Sequence, residues 1–246
     1  MRCIFCKEDG ILTREHVLPD WLKVLYPEKS RVTNKFTSET SKIWPSKIFQ
    51  HKVKIVCAEC NHGWMAELEN QVKPIISQMV RLEDFLIDEN KQNLLAFWSQ
   101  KTVLMLNQSV PGGIKFTQDL FDDIYQKKNF SNKVLVNLGW RMKYAGDINE
   151  PICFFETKQI PYVSVAREIH EHAKKEREAG RFAWRSIFVI GPIVFELVGH
   201  NMKVRLEVVP NTNVFKCIRP FNTDLQWPLD FPIEAEGGLG VVASRG

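Results

Sequence analysis

The chain has 246 residues, of which 44% are hydrophobic and 25% are charged, and its net charge at neutral pH is +4. This length and apolar content suit one large domain or two small ones and exclude an intrinsically disordered chain. No apolar run reaches the ~18–20 residues of a membrane-spanning helix, and the first residues, MRCIFCKEDG, lack the apolar centre of a secretion signal. We therefore expect a cytoplasmic protein that does not associate with membranes.

The first predicted domain, residues 1–74, begins and ends near a Cys-x-x-Cys pair. After Pro19, the segment DWLKVLYPEKS offers Asp20 as a helix N-cap and predicts one or two helical turns. Residues 30–50 are polar and predict a long loop or an irregular hairpin, and the alternating KVKIV that follows predicts a strand. Apolar residues then recur at helical spacing from Met65 onward, which predicts a helix that Pro74 ends or kinks.

The second predicted domain, residues 75–246, is an accessory α+β domain of unknown role. Helices are predicted over about 75–128, and strands with one helix over about 131–220. The apolar run WRSIFVIGPIVFELVG and the run MKVRLEVV are predicted as strands joined by a turn at GHN. The charged stretch REIHEHAKKEREAGR is predicted to be the one helix of this region, with its side chains exposed to solvent. The sequence thus predicts an α+β protein whose second part contains antiparallel strands.

Four of the six cysteines occur as two identical pairs, Cys3 with Cys6 and Cys57 with Cys60. In a reducing compartment, paired cysteines at this spacing indicate a metal site more than disulfide bonds. Four thiolates suit a tetrahedral structural zinc, which leaves no open coordination position for chemistry. The alternative is four unconnected cysteines. The remaining two, Cys153 and Cys217, lie in apolar strand patterns and are predicted to be small core residues.

A zinc ion shared by the two pairs would bring three other polar residues together. Glu15 and His16 follow the first pair, and Asn61 follows the second directly. Carboxylate and amide oxygens are hard ligands that suit Mg²⁺ or Mn²⁺, and an unligated imidazole suits the activation of water. Each residue also has an ordinary explanation: Glu15 as a surface acid, His16 as a structural histidine and Asn61 as a helix N-cap.

The combined motif resembles the zinc-stapled form of the HNH, or ββα-metal, nuclease family. The resemblance covers about residues 1–70 and lies in Cys-x-x-Cys, then Glu-His-x-x-Pro, then Cys-x-x-Cys-Asn at the start of a helix. The matching residues are Cys3, Cys6, Glu15, His16, Pro19, Cys57, Cys60 and Asn61. The middle Asn of the family pattern is missing here. Either Gln50 or His51 replaces it, or its role is lost.

The resemblance implies a zinc-stapled ββα-metal fold and a divalent-metal-dependent endonuclease that hydrolyses phosphodiester bonds, with DNA as its substrate. It implies that Glu15 and Asn61 hold a catalytic Mg²⁺ or Mn²⁺, and that His16 is the general base. Residues 1–56 carry eleven Lys and Arg against six Asp and Glu. This excess suits a surface that faces phosphates, although an ordinary solvated surface explains it equally well.

Two other functions stay open at this point. The missing middle Asn favours a zinc-stabilised nucleic-acid-binding module without catalysis. A protein-interaction subunit in which the zinc unit is a scaffold is the second alternative, and it predicts no salt-dependent DNA affinity. The region after residue 74 would serve substrate recognition, formation of a homodimer or contact with a partner protein.

Overall fold

The computed structural model describes residues 1–26, 52–109, 114–141, 182–201 and 215–233, the strands at 32–37, 42–46 and 153–159, and residues 175, 178 and 179. The structure is a mixed α+β fold in which all strand pairs but one are antiparallel. The described strands are β1 (Leu12–His16), β2 (Val32–Thr37), β3 (Lys42–Ser46), β4 (Lys52–Cys57), β5 (Phe85–Ile87), β6 (Val134–Trp140), β7 (Cys153–Gln159), β8 (Ala183–Ile190), β9 (Ile193–His200), β10 (Lys216–Arg219) and β11 (Leu225–Trp227). The described helices are α1 (Ala58–Cys60), α2 (Ala66–Val80), α3 (Glu89–Gln108) and α4 (Gln118–Lys127), with a 3₁₀ helix at Asp20–Leu25 and a π-helical turn at Asn61–Met65.

The N-terminal part is built from β1, β4 and the helical segment that follows β4. The two strands pair antiparallel, and α1, the π-helical turn and α2 continue directly from Cys57. Pro74 lies inside α2 and does not end it, so of the two predicted outcomes, an end or a kink, the first is wrong. Ile75, Ile76 and Met79 after the proline are buried, and burial of these apolar side chains favours continuation of the helix.

The largest sheet has seven strands in the order β10-β6-β9-β8-β7-β2-β3, with β2 parallel to β7. The polar region predicted as a loop or irregular hairpin therefore contributes the hairpin β2–β3 to this sheet. The long apolar run from Trp184 to Gly199 is two strands, not one. Its turn contains Gly191, whose φ is +55°, and a Cβ there would lie 2.5 Å from the Tyr26 hydroxyl. Glycine therefore suits both the backbone angle and the close approach.

Helix α3 is the centre of the hydrophobic core. It contacts α2, α4, β6 and β10, and its residues from Leu95 to Asn107 are buried. Trp98 is fully buried and packs on Phe188 and Phe195 of the sheet, at ring-centroid distances of 5.9 and 6.0 Å. One core cluster includes residues from both sides of position 74. The division into domains at that position stays a prediction.

Several predicted elements lie outside the described residues. These are the strand YVSVA at 162–166, most of the charged helix at about 165–179 and the strand MKVRLEVV at 202–209. The short pair β5–β11 was not anticipated from the sequence. Among the described residues, no helix combines the length and the apolar character that a membrane crossing requires.

We expect Trp98→Ala to lower the free energy of unfolding by about 3–5 kcal/mol, because it leaves a cavity between α3 and the sheet. Urea unfolding measures this loss. Leu86→Ala is the control, since the Leu86 side chain is 49% exposed, and its effect should stay within about 0.5 kcal/mol. Similar small losses for both variants would contradict the assignment of Trp98 to the centre of the core.

Candidate metal centre and the adjoining acid–histidine–amide site

The first cysteine pair lies in a tight turn at the start of the chain. The Lys7 N–H donates to the Cys3 carbonyl at 3.1 Å, and the Cys3 N–H donates to the Glu8 carbonyl at 3.1 Å. Lys7 closes the turn with a φ of +65°. The Ile4 N–H also donates to the Ile55 carbonyl of β4 at 3.0 Å. The turn is thereby joined to the strand that leads to the second pair.

The second cysteine pair lies where β4 passes into the helical segment. Cys57 is the last residue of the strand and the N-cap of α1, because its Sγ accepts a hydrogen bond from the Cys60 N–H at 3.4 Å. Asn61 was a candidate for this cap, but it has helical backbone angles one turn later. Its side chain is therefore available for other contacts.

The two pairs form one cluster that could hold a structural metal such as zinc. The sulfur atoms of Cys3, Cys6, Cys57 and Cys60 all lie within 4.8 Å of one another. The Cys6 and Cys57 sulfurs are 3.5 Å apart. A tetrahedral zinc with Zn–S bonds of about 2.3 Å needs sulfurs roughly 3.8 Å apart, so the donor set and its spacing fit this ion.

The electrostatics of the cluster also favour a bound cation. Burial raises the pKa of Cys6 to about 11, and burial together with the neighbouring thiols raises the pKa of Cys60. The pKa of Cys3 is lowered to about 7, because backbone hydrogen bonds within the two turns outweigh the opposing effect of its burial. Four crowded thiols do not all ionise without a compensating charge, which a divalent metal supplies.

Glu15 is directed into the protein by an irregularity in the β1–β4 pair. The register shifts by one residue between Thr13 and Glu15, and such bulges re-aim side chains. Only 8% of Glu15 is exposed. Its pKa is raised to about 7, mainly by burial, although Lys101 and the polar contact with Asn61 lower it.

Asn61 lies against β1, on the side where Glu15 is buried. Its amide nitrogen donates to the Thr13 Oγ1 at 3.0 Å, and Thr13 in turn donates to the Val56 carbonyl at 3.1 Å. The Asn61 amide N–H also faces the Glu15 carboxylate, and this contact lowers the pKa of that carboxyl. With its nitrogen facing Thr13 and Glu15, the amide oxygen is the Asn61 atom that could contact a cation. The structure thus brings Glu15 and Asn61 together.

His16 is partly buried at the end of β1, where it follows Glu15 in the chain and pairs in register with the exposed Lys52. Its Nε2 lies 3.4 Å from the Asp20 carboxylate. Burial, with help from Lys52, lowers the His16 pKa, and Asp20 opposes this shift. A lowered pKa keeps the imidazole neutral at pH 7.

Two residues of the site were missed in the sequence. Glu69 of α2 and the fully buried Lys101 of α3 form an ion pair of 2.8 Å, and both alter the pKa of Glu15. Glu69 could have been identified from its spacing, because it lies four residues after Met65 and eight after Asn61, and such positions share one face of a helix. The signal for Lys101 was a lysine in the middle of an otherwise buried helix.

The remaining candidates divide into those that the structure describes and those that it does not. Cys217 lies in β10, half-buried and outside the cluster, and its thiol donates to the Arg219 carbonyl at 3.1 Å. Gln50, His51 and the Cys153 side chain lie outside the described residues. The prediction that Gln50 or His51 replaces the missing Asn therefore stays a prediction.

Comparisons with protein-family models, with curated proteins and with solved structures found no match. The structure supports one part of the family resemblance, the four-cysteine cluster near the N-terminus, which could bind a metal.

We expect Cys57→Ser to lose bound zinc and to lower the Tm by about 10 °C or more, because the cluster joins two distant segments of the chain. Metal analysis and thermal unfolding measure both effects. Cys217→Ser is the matched control, since it also removes a half-buried thiol, and it should keep zinc and Tm. Wild-type protein without zinc, or equal behaviour of the two variants, would contradict the metal assignment.

We expect Glu15→Gln to stabilise the protein at pH 8 when no Mg²⁺ or Mn²⁺ is present. The Glu15 pKa is raised from 4.5 to about 7 in the folded state, so the stability that its neutral form contributes is present below pH 4.5 and is lost as the pH rises through 7. The glutamine keeps the neutral form at all pH values. Urea unfolding should show a gain of about 2–3 kcal/mol at pH 8, and this gain should shrink toward pH 5.

The control for this pH dependence is Glu67→Gln, which removes a carboxylate from an exposed position of the same helix as Glu69. Its effect should be small and nearly equal at both pH values. Glu15→Gln protein that is less stable than wild type at pH 8 would show that Glu15 is not a desolvated acid.

Proposed function

We propose that the protein is a divalent-metal-dependent endonuclease of the HNH type that hydrolyses DNA phosphodiester bonds. The observation that carries the proposal is the polar contact between the buried Glu15 carboxyl of β1 and the Asn61 amide of the turn after β4. His16 follows Glu15 directly in β1. A carboxylate, an amide and an imidazole are the groups that such a reaction requires.

Glu15 and Asn61 are the residues that would hold the catalytic Mg²⁺ or Mn²⁺. Two observations support this choice of ligands. Carboxylate and amide oxygens are ligands that suit Mg²⁺. The Glu15 carboxyl is buried, and its pKa is raised because neighbouring groups compensate only part of its negative charge. When bound, the ion would stabilise negative charge on the phosphorane and on the leaving oxygen. The cysteine cluster takes no part in this chemistry, because four thiolates close its coordination sphere.

His16 is the general base of the proposed reaction. With Nε2 directed at Asp20, Nδ1 is the nitrogen that accepts a proton from water. The water oxygen forms a bond to phosphorus as that proton moves to His16, and the bond from phosphorus to the 3′ oxygen breaks. The lowered pKa of His16 leaves the ring able to accept the proton at neutral pH.

The exposed side of the β1–β4 pair suits a nucleic-acid backbone. Arg14, Lys52 and Lys54 are exposed there, and Lys52 pairs in register with His16. These cations would contact phosphates on either side of the bond to be cut. One site cuts one strand, so double-strand cleavage would need two visits or a homodimer. The region after residue 74 would supply substrate contacts or a dimer interface.

We expect wild-type protein to nick supercoiled plasmid in the presence of Mg²⁺ or Mn²⁺, and His16→Ala to nick it at least about 100-fold more slowly because it lacks the base. Conversion of supercoiled to open-circular DNA measures the rate. His62→Ala is the matched control, since this exposed histidine lies one residue after Asn61 and outside the proposed base and ligands. Its rate should stay within about threefold of wild type.

The same assay separates the alternatives. Absence of nicking by wild-type protein that contains zinc, or equal rates for wild type and His16→Ala, would contradict the proposal. Salt-dependent retention of DNA without cleavage would instead support a nucleic-acid-binding module. Absence of both would favour a protein-interaction scaffold.

A further inference from the structure

Lys101 is an unusual residue for the middle of a helix that the core surrounds. Its side chain has no exposed surface, and its ammonium donates to the Glu69 Oε1 at 2.8 Å. Burial of a lysine is costly, and well-packed apolar residues often replace buried ion pairs without loss of stability. A purely structural reason for Lys101 is therefore weak.

Glu69 connects this lysine to the proposed active site. Its side chain is 17% exposed, in contrast to the sealed lysine behind it. The Glu69 charge acts on both Glu15 and His16, and the Lys101 charge acts on Glu15. The pair therefore joins α3, which carries Lys101, to α2, the helix that continues from the turn holding Asn61.

We propose that Glu69 and Lys101 are positioning residues of the catalytic site, in which Lys101 fixes the Glu69 carboxylate so that it accepts hydrogen bonds from waters on the divalent ion. This inference rests on the proposed function. Mg²⁺ keeps several of its waters in protein sites, and carboxylates that bind such waters orient the first shell of ligands. The ion pair with Lys101 would fix the Glu69 carboxylate in this position and prevent it from becoming a direct ligand of the ion.

The charges of the site agree with a single divalent ion. Glu15 and Glu69 carry two negative charges when ionised, and Lys101 carries one positive charge, so the three together leave one negative charge. Removal of the lysine would leave two negative charges and an untethered carboxylate. Such a site should hold a divalent ion at least as tightly but should no longer orient its waters.

The experiment uses the full chain with zinc bound and measures two quantities for each variant. Electron paramagnetic resonance of free Mn²⁺ gives the Mn²⁺ affinity, and plasmid nicking at saturating Mn²⁺ gives the rate. Glu69→Gln should raise the Kd for Mn²⁺ about tenfold and lower the rate tenfold or more. Lys101→Met should keep the wild-type Kd or lower it, yet lower the rate tenfold or more. The double variant should be no slower than the slower single variant, because the two residues act as one unit.

Lys91→Met is the matched control, because it removes an ion pair with Asp88 from the same helix, and it should leave both quantities within about threefold. A merely structural lysine would lower the Tm without changing the rate of the folded protein at saturating Mn²⁺. If wild type nicks DNA and the Glu69 and Lys101 variants nick at its rate, this inference is wrong and the proposed function stands.

The Mn²⁺ affinities decide the remaining cases. If Lys101→Met does not fold, the Kd and the rate of Glu69→Gln and of the double variant are the test. If wild type binds Mn²⁺ without nicking, an unchanged Kd in Glu69→Gln overturns the inference, and a tenfold increase supports the position of Glu69. If wild type neither binds Mn²⁺ nor nicks DNA, both the inference and the proposed function fall.

Discussion

The convergence of four cysteine thiols from two distant segments is the constraint on which the candidate site depends. Cys3 and Cys6 lie in a turn at the start of the chain, and Cys57 and Cys60 lie where β4 becomes a helix. The Ile4–Ile55 hydrogen bond and the β1–β4 pairing continue this connection. A bound metal would make the arrangement permanent, because its ligand bonds are much stronger than the few backbone hydrogen bonds that otherwise join the segments. Glu15 and Asn61 come into contact as a consequence.

The residues around this contact do not follow the rules that stabilise a core. Glu15 is a buried acid with a raised pKa, and Lys101 is a buried cation. An apolar side chain at either position would avoid the cost of removing a charge from water. Departures of this kind concentrate at functional sites. Their location beside a cluster that could hold a metal is the reason that we place the proposed chemistry here and not in the seven-stranded sheet.

The sequence predicted those parts of the site that depend on local spacing. The Cys-x-x-Cys pairs and the Glu-His and Cys-Asn neighbours are short-range patterns. In the structure the four cysteines lie together, and Asn61 contacts Glu15. Glu69 and Lys101 could not be found in this way, because their pairing depends on how α2 packs against α3. The same limit applies to the fold. Local rules placed an end or a kink of the helix at Pro74 and a single strand from Trp184 to Gly199, whereas α2 continues past the proline and the Gly191 turn divides the strand.

X-ray absorption at the zinc edge of the purified protein counts the ligand atoms of the metal and so shows whether one ion joins the two cysteine pairs. We expect a single shell of four sulfur atoms at about 2.3 Å, with no nitrogen or oxygen ligand. A shell of two sulfurs with nitrogen or oxygen atoms would mean that the two cysteine pairs do not share one ion. In that case a metal shared by the two cysteine pairs would not be what brings Glu15 and Asn61 together.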